Sequence, residues 1–256
     1  MQPLKSFMRW VGLLVAALLA LQLFFVVRIA AMTVVAPQST AFERSEAWRV
    51  LTEKGSLRWR QQWVAYPQIS DHLKRAVIAS EDDGFINHEG VDWDALEKAW
   101  QKNAKAEAQA AKTLAPKKNG GATAAKSRPA ARAPKVVGGS TITQQLAKNL
   151  FLLGERTLLR KGQEFVLTLL LETLLSKQRI LEIYLNSVEW GEGIFGAEAA
   201  AQHYFRKPAS RLSTYEAARL AVMLPRPKYF EKLPNSSYIA GRAGVIAARL
   251  ADAELP

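Results

Sequence analysis

Residues Gly138 to Asn149 read Gly-Gly-Ser-Thr-Ile-Thr-Gln-Gln-Leu-Ala-Lys-Asn, so two glycines release into hydroxyls, amides and a lysine at a helix start. Glycine lets a ligand approach the main chain closely. Ser140 or Thr141 can cap the helix, and Gln144, three residues past Thr141, completes a capping box. Unpaired N–H groups and the helix dipole at such a terminus suit a phosphate, with Lys148 facing the same place from further along. A well-capped helix with no ligand would carry the same residues. A second chemical stretch is Ser80-Glu81-Asp82-Asp83-Gly84-Phe85-Ile86-Asn87-His88. Three acids at a helix C-terminus oppose the dipole, so helix propensity does not account for them. One of them can act as a general base with His88 orienting a neighbour, or the three form an exposed acidic turn. Further on, Arg156, Arg160 and Glu164 recur at intervals of four, which on a helix is one side: a solvated ion-paired stripe, or a binding row for a polyanion.

The elements that must position these groups are helical. Leu73, Val77 and Ile78 carry the helical period, with Asp71 as N-cap, and Asp92 opens another helix through Trp93, Leu96 and Trp100. A long helix starts near Glu155 and runs through Leu174, and others cover Lys177 to Asn186, Ala197 to Phe205, Ser213 to Met223 and about Tyr238 to Ala251. Ser213 and Glu216 form a capping box. Gly191, Gly193 and Gly196 read as turn geometry and not as a dinucleotide fingerprint, because the sequence shows no strand before them. The fold class is all-α.

Trp10 to Val27 is apolar apart from Gly12 and Gln22, and the apolar character continues past Arg28 to Ala36. A helix of about 20 residues spans a bilayer. This run is longer than the apolar part of a cleaved signal, so an uncleaved anchor over 10–36 is expected. Lys5 and Arg9 place the tail 1–9 in the cytoplasm and the rest outside it. The net charge of +12 comes largely from 101–135, a segment rich in Ala, Lys, Gly and Pro. Past an initial helical extension it lacks the apolar surface to fold, and its charge gives no reason to expect a nucleic-acid partner. With no cysteine and three histidines, disulfides, thiolate chemistry and a conventional zinc site are not expected.

Taken in order, Glu81-Asp82-x-x-Phe85-x-x-His88-x-Gly90, then Gly139-Ser140-Thr141-Ile142-Thr143-Gln144-Gln145-x-x-Lys148-Asn149, then Arg160-Lys161-x-x-Glu164, then Ile180-Leu181-Glu182-x-Tyr184-Leu185-Asn186 resembles glycosyltransferase family 51. The likeness is to its monofunctional biosynthetic peptidoglycan members, related to the glycosyltransferase domain of class A penicillin-binding proteins, and covers about 70–235 outside the insert. The resemblance implies a lysozyme-like helical domain over 70–256 with a small membrane-proximal lobe, a membrane-proximal segment at 37–69, and polymerisation of lipid II with inversion and release of undecaprenyl pyrophosphate. By that likeness Glu81 is the general base and Glu164 acts on the leaving-group side. Substrate falls to Asp82, Phe85, His88, Ser140, Thr141, Gln144, Gln145, Lys148, Asn149, Arg156, Arg160 and Lys161.

A carboxylate beside a pyrophosphate needs a cation, either a divalent ion (Mg2+ or Mn2+) at Glu164 or the basic side chains. Expected partners are lipid II, the growing glycan, the membrane, and cell-division or elongation proteins including penicillin-binding transpeptidases. No penicillin-binding domain follows residue 256, so cross-linking is expected to fall to another protein. Gln163 stands where some relatives carry lysine. The competing readings are a lytic enzyme with a similar helical frame and a membrane-bound scaffold without catalysis; a glycan-cleaving enzyme has no need of the pyrophosphate-binding residues from Ser140 to Lys161.

Overall fold

The computed structural model describes residues 2–114, 139–152, 154 and 157–256. Most of the predicted insert, with Gly138 and Arg156, lies outside them. The described helices are α1 (Gln2–Ala31), α2 (Ala41–Lys54), α3 (Asp71–Glu81), α4 (Trp93–Leu114), α5 (Ile142–Phe151), α6 (Leu158–Leu174), α7 (Lys177–Ser187), α8 (Ala197–Phe205), α9 (Thr214–Met223), α10 (Pro227–Phe230) and α11 (Ser237–Arg249). The chain divides into two compact units, 1–91 with 141–256, and 92–140.

In the larger unit α7 is the buried centre. Ile180, Leu181, Ile183, Tyr184 and Leu185 are all sealed from solvent, and between them only Glu182 is half-buried, paired with Arg179. Helices α5 and α6 pack beside it, and α3, α9 and α11 form a second packed group. Capping chemistry marks the helix starts. Ser213 forms the predicted box with Glu216, and Thr40 forms one with Glu43 that the sequence reading did not anticipate. Helix α3 is capped by Ser70, whose hydroxyl accepts from His72 N, and Asp71 is its first residue, not its cap as expected. Helix α6 starts at Leu158, capped by Thr157, and not near Glu155. The predicted row from Arg156 to Arg160 cannot be followed, because Arg156 lies outside the described residues.

A small sheet interrupts the helices. Strand β1 (Arg60–Gln61) runs parallel to β3 (Ile194–Phe195), which pairs antiparallel with β2 (Glu189–Gly191). Gly193 lies in the turn between β2 and β3, while Gly191 ends β2 and Gly196 caps α8, so a strand does precede the turn. Gly193 sits at φ 71°, and a Cβ there would lie 2.0 Å from the Arg58 carbonyl oxygen. Strands this short have too few residues to show alternation, which is why the sequence read as purely helical.

The first helix is long and apolar enough to cross a membrane over Lys5–Ala31. It begins before the expected boundary at Trp10 and ends before Ala36. Phe25, Ile29 and Met32, at helical spacing, are buried in the larger unit, while most of the preceding residues are exposed.

In the smaller unit Asp92 caps α4 by accepting from Ala95 N at 2.8 Å. Helix α4 takes in the first part of the predicted insert, as the helical extension anticipated. A Cβ on Gly139 would stand 3.3 Å from Leu96 Cα and 3.4 Å from Ala99 Cβ. What the glycine admits is the backbone of α4, not the ligand that its sequence context suggested.

Candidate active site

The three acids at the end of α3 have three separate fates. Asp83 is exposed and pairs with Arg249 at 2.8 Å. Asp82 leaves the helix and is buried. One of its oxygens accepts the Ile142 N–H at the first turn of α5, at 2.9 Å, and the other lies 2.8 Å from His88 Nε2. Because the Gly90 N–H donates to His88 Nδ1 at 3.1 Å, the ring proton sits on Nε2 and is donated to Asp82. The helix start therefore does hold an anion, but that anion is the protein's own carboxylate.

This alters the reading of several residues given to substrate. Both Asp82 oxygens are taken by protein groups. Thr141 caps α5, accepting from Gln144 N at 3.1 Å and donating to the Gly90 carbonyl at 2.6 Å. The Gln144 side chain reciprocates, accepting from Thr141 N at 3.2 Å. Phe85 is fully buried, with Lys177 Nζ 4.6 Å from its ring centre. Asp82, Thr141, Gln144, Phe85 and His88 brace the junction between α3 and α5. The family resemblance gives all five to substrate, and for Thr141 and Gln144 the residue types that cap a helix are also those that bind phosphate. Lys148 is exposed on α5, Asn149 is half-buried at its end, and Ser140 is exposed in the smaller unit.

Glu81, the last residue of α3, is held differently. Gln145 Nε2 donates to its Oε2 at 3.1 Å, and Gln145 Oε1 accepts from the Tyr184 hydroxyl at 3.0 Å. Tyr184 is buried in α7, so a residue with no room to move orients the amide that orients the carboxylate. Burial pushes the Glu81 carboxyl above the ordinary glutamate range and the adjacent Asp82 charge pushes the same way, while the Gln145 bond opposes them. A carboxyl poised upward in this way suits a general base that must take up a proton near neutral pH.

Glu164 is buried on α6, with Arg160 Nη1 3.0 Å from one oxygen and Lys161 Nζ against the other. The expected row of cation and carboxylate exists from Arg160 onward. Arg160 Nε is buried without a hydrogen-bond partner, and the Lys161 side chain is 55% exposed, so donor capacity remains for an incoming anion. Among the described residues no three His, Asp or Glu side chains gather to hold a metal ion.

Several supporting residues escaped the sequence reading. Gly90, at φ 86°, lies where a Cβ would be 2.7 Å from Thr168 Cγ2 and 2.9 Å from Glu172 Cγ, so α6 packs directly on this turn. Glu172 accepts from Thr143 Oγ1 and pairs with Lys177 at 2.9 Å, and Lys177 also donates to the His88 carbonyl at 2.6 Å. Asn186 pins the segment after β1 through both its amide atoms, accepting from Val64 N at 2.9 Å and donating to Val64 O at 3.0 Å. Gly90, Thr143, Tyr184 and Asn186 stand in motifs quoted above without a role; Glu172 and Lys177 had no signal beyond residue type.

Chemically, an oriented carboxylate on one helix and a cation-braced carboxylate on another are the groups that acid–base chemistry on an anionic substrate would use. The family model described as Transglycosylase matches residues 49–123 and 112–251. Over 252 residues the chain is 52% identical to the biosynthetic peptidoglycan transglycosylase of Burkholderia thailandensis, covering 97% of this chain and 88% of that protein. It is 51% identical to the protein of the same name from Burkholderia pseudomallei, with the same coverage. To that of Burkholderia ambifaria it is 49% identical, covering 97% of this chain and 92% of the relative. The chain belongs to the transglycosylase family.

Proposed function

We infer that the protein is a peptidoglycan glycosyltransferase that polymerises lipid II into β-1,4-linked glycan, releasing undecaprenyl pyrophosphate. The observation that carries this reading is the Tyr184–Gln145–Glu81 relay, which gives a single carboxylate a defined direction and a raised pKa. Glu81 removes the proton of the acceptor's 4-hydroxyl as that oxygen attacks the anomeric carbon of the donor sugar. The bond to the pyrophosphate breaks on the opposite face, so configuration inverts. Arg160 and Lys161 neutralise the departing charge, the Arg160 Nε–H offers it a hydrogen bond, and Glu164 keeps both cations in place. A general base of this kind contributes about 10²–10⁴-fold.

Both Glu164 oxygens already have cationic partners, so this chain supplies the positive charge itself. A divalent ion, if used, would take most of its ligands from the pyrophosphate, with Glu164 as its protein ligand, and would supply further charge neutralisation there. We also propose that the N-terminus is cytoplasmic and the catalytic unit lies outside, as Lys5 and Arg9 ahead of the apolar run favour. We also propose a penicillin-binding transpeptidase among its partners.

The test is glycan formation from purified lipid II in detergent by wild type, Glu81→Gln and Glu164→Gln, each checked for folding. Wild type should make polymer, folded Glu81→Gln none, and Glu164→Gln far less than wild type. A wild type that instead cleaves preformed glycan, or a folded Glu81→Gln that polymerises normally, would overturn the assignment.

A further inference from the structure

Gln22 is the one polar side chain between Arg9 and Arg28, a stretch otherwise made of apolar residues and a glycine. In a bilayer an amide with no partner is strongly disfavoured, so its position calls for an explanation. Its partner is Gln163. Gln22 Nε2 donates to Gln163 Oε1 at 3.2 Å, and Gln163 Nε2 donates back to Gln22 Oε1 at 3.4 Å. Each amide thus satisfies the other, one on α1 and one on α6.

The contact continues along the same face of α1. Three residues on, Phe25 meets Phe151 edge to face at 5.3 Å, and Arg28 lies over the same ring at 5.8 Å. Ile29 is fully buried, and the Met32 carbonyl accepts from Arg179 Nε at 2.7 Å. Apolar packing of this kind tolerates sliding, because one aliphatic neighbour can replace another. A reciprocal amide pair does not. Sliding one helix by a single residue moves it about 1.5 Å, enough to break both bonds.

Gln163 directly precedes Glu164 and lies within one turn of Arg160 and Lys161. We propose that Gln22 and Gln163 form an interhelical latch that sets the height of Arg160, Lys161 and Glu164 against the membrane-spanning helix, making Gln22 a positioning residue for the lipid-linked substrate. At the start of α6, Leu158 and Leu159 are 93% and 86% exposed immediately before the two cations. The latch holds these leucines toward the apolar layer and the cations at the depth of a lipid pyrophosphate. The positioning role rests on the function proposed above; the amide pair does not.

The absence of cysteine from the sequence makes the test clean. Full-length Gln22→Cys/Gln163→Cys, in membranes, is treated with a short thiol-bridging reagent, with Leu21→Cys/Gln163→Cys as control. Leu21 is about 100° round the helix, so bridging is expected for the first pair and not for the second. Kinetics are then measured in bilayer nanodiscs with purified lipid II. Gln22→Leu should raise KM about three- to tenfold, the range one interhelical hydrogen bond supports, with kcat within about twofold and the pH profile unmoved. Gln163→Leu should match it, and the double variant should be no worse than either, because the two side chains act as one unit. A merely structural defect would instead lower kcat and the active fraction together. No bridging in a chain that polymerises, or KM effects that multiply, would overturn the latch. Bridging in the double-cysteine chain, beside a wild type that makes no polymer, would overturn the functional reading and leave the pair standing.

Discussion

Replacing Gln145 with methionine keeps length and flexibility but deletes both ends of the relay that holds Glu81. The bond lost to Glu81 is 3.1 Å long and accepted by a carboxylate, and the acceptor lost to Tyr184 was 3.0 Å away. A hydrogen bond to a charged group is worth about 1.5–3 kcal/mol, and one pKa unit corresponds to about 1.4 kcal/mol. Glu81 is partly open to solvent, which replaces some of what is lost, so its carboxyl is expected to rise further but by less than the full bond would give. The direction is fixed by cause: burial and Asp82 already push this carboxyl up, and Gln145 is what restrains it. A base is active only when deprotonated, so activity falls as pH drops through its pKa. The assay is kcat/KM for lipid II polymerisation across the pH range. Gln145→Met should move the acidic limb to higher pH while keeping most of the activity on the alkaline side. Tyr184→Phe, which leaves the Gln145 donor in place, should shift it less and the same way. A limb that stays put, or moves toward acid, would refute the assignment of Glu81 as the base and of Gln145 as its orienting group.

Two further outcomes follow from the same physics. Asp82→Ala strands the Ile142 N–H and the His88 Nε2–H, each at about 1–3 kcal/mol; thermal melting in detergent should fall by roughly 5–15 °C, and an unchanged melting point would remove Asp82 from its bracing role. Glu189 is pushed up to about 7 from 4.5, by burial first, with Lys228 3.4 Å away opposing the rise and Glu46 adding to it. Between those values the folded state holds a proton that the unfolded state has released, so stability should decrease as pH rises from about 4.5 to 7 and level off above. Melting of wild type against Glu189→Gln over that range checks this, and the variant should lose that part of the slope.

The chemistry-bearing residue types and their helical setting were legible without coordinates. Capping boxes at Thr141 and Ser213, the apolar run of α1 and the i,i+4 pair of Arg160 and Glu164 are local, and local patterns show in sequence because they depend on neighbours within one or two turns. The division of labour within Glu81-Asp82-Asp83 was not legible. One acid faces Gln145, the next binds a helix start sixty residues away along the chain, and the third pairs near the C-terminus; no pattern within the stretch distinguishes them. The same holds for the glycine-led helix, where a cap filled by the protein's own carboxylate and a cap waiting for phosphate use the same residues. Gln22 and Gln163 each looked like an isolated departure from pattern, and only packing of α1 on α6 makes them one feature. Sequence alone determined which groups were available and on which helices they lie, since that follows from local backbone preference. Tertiary structure decided which of them remain for substrate, because a polar group is open to a ligand only after the fold's own buried donors and acceptors have been satisfied.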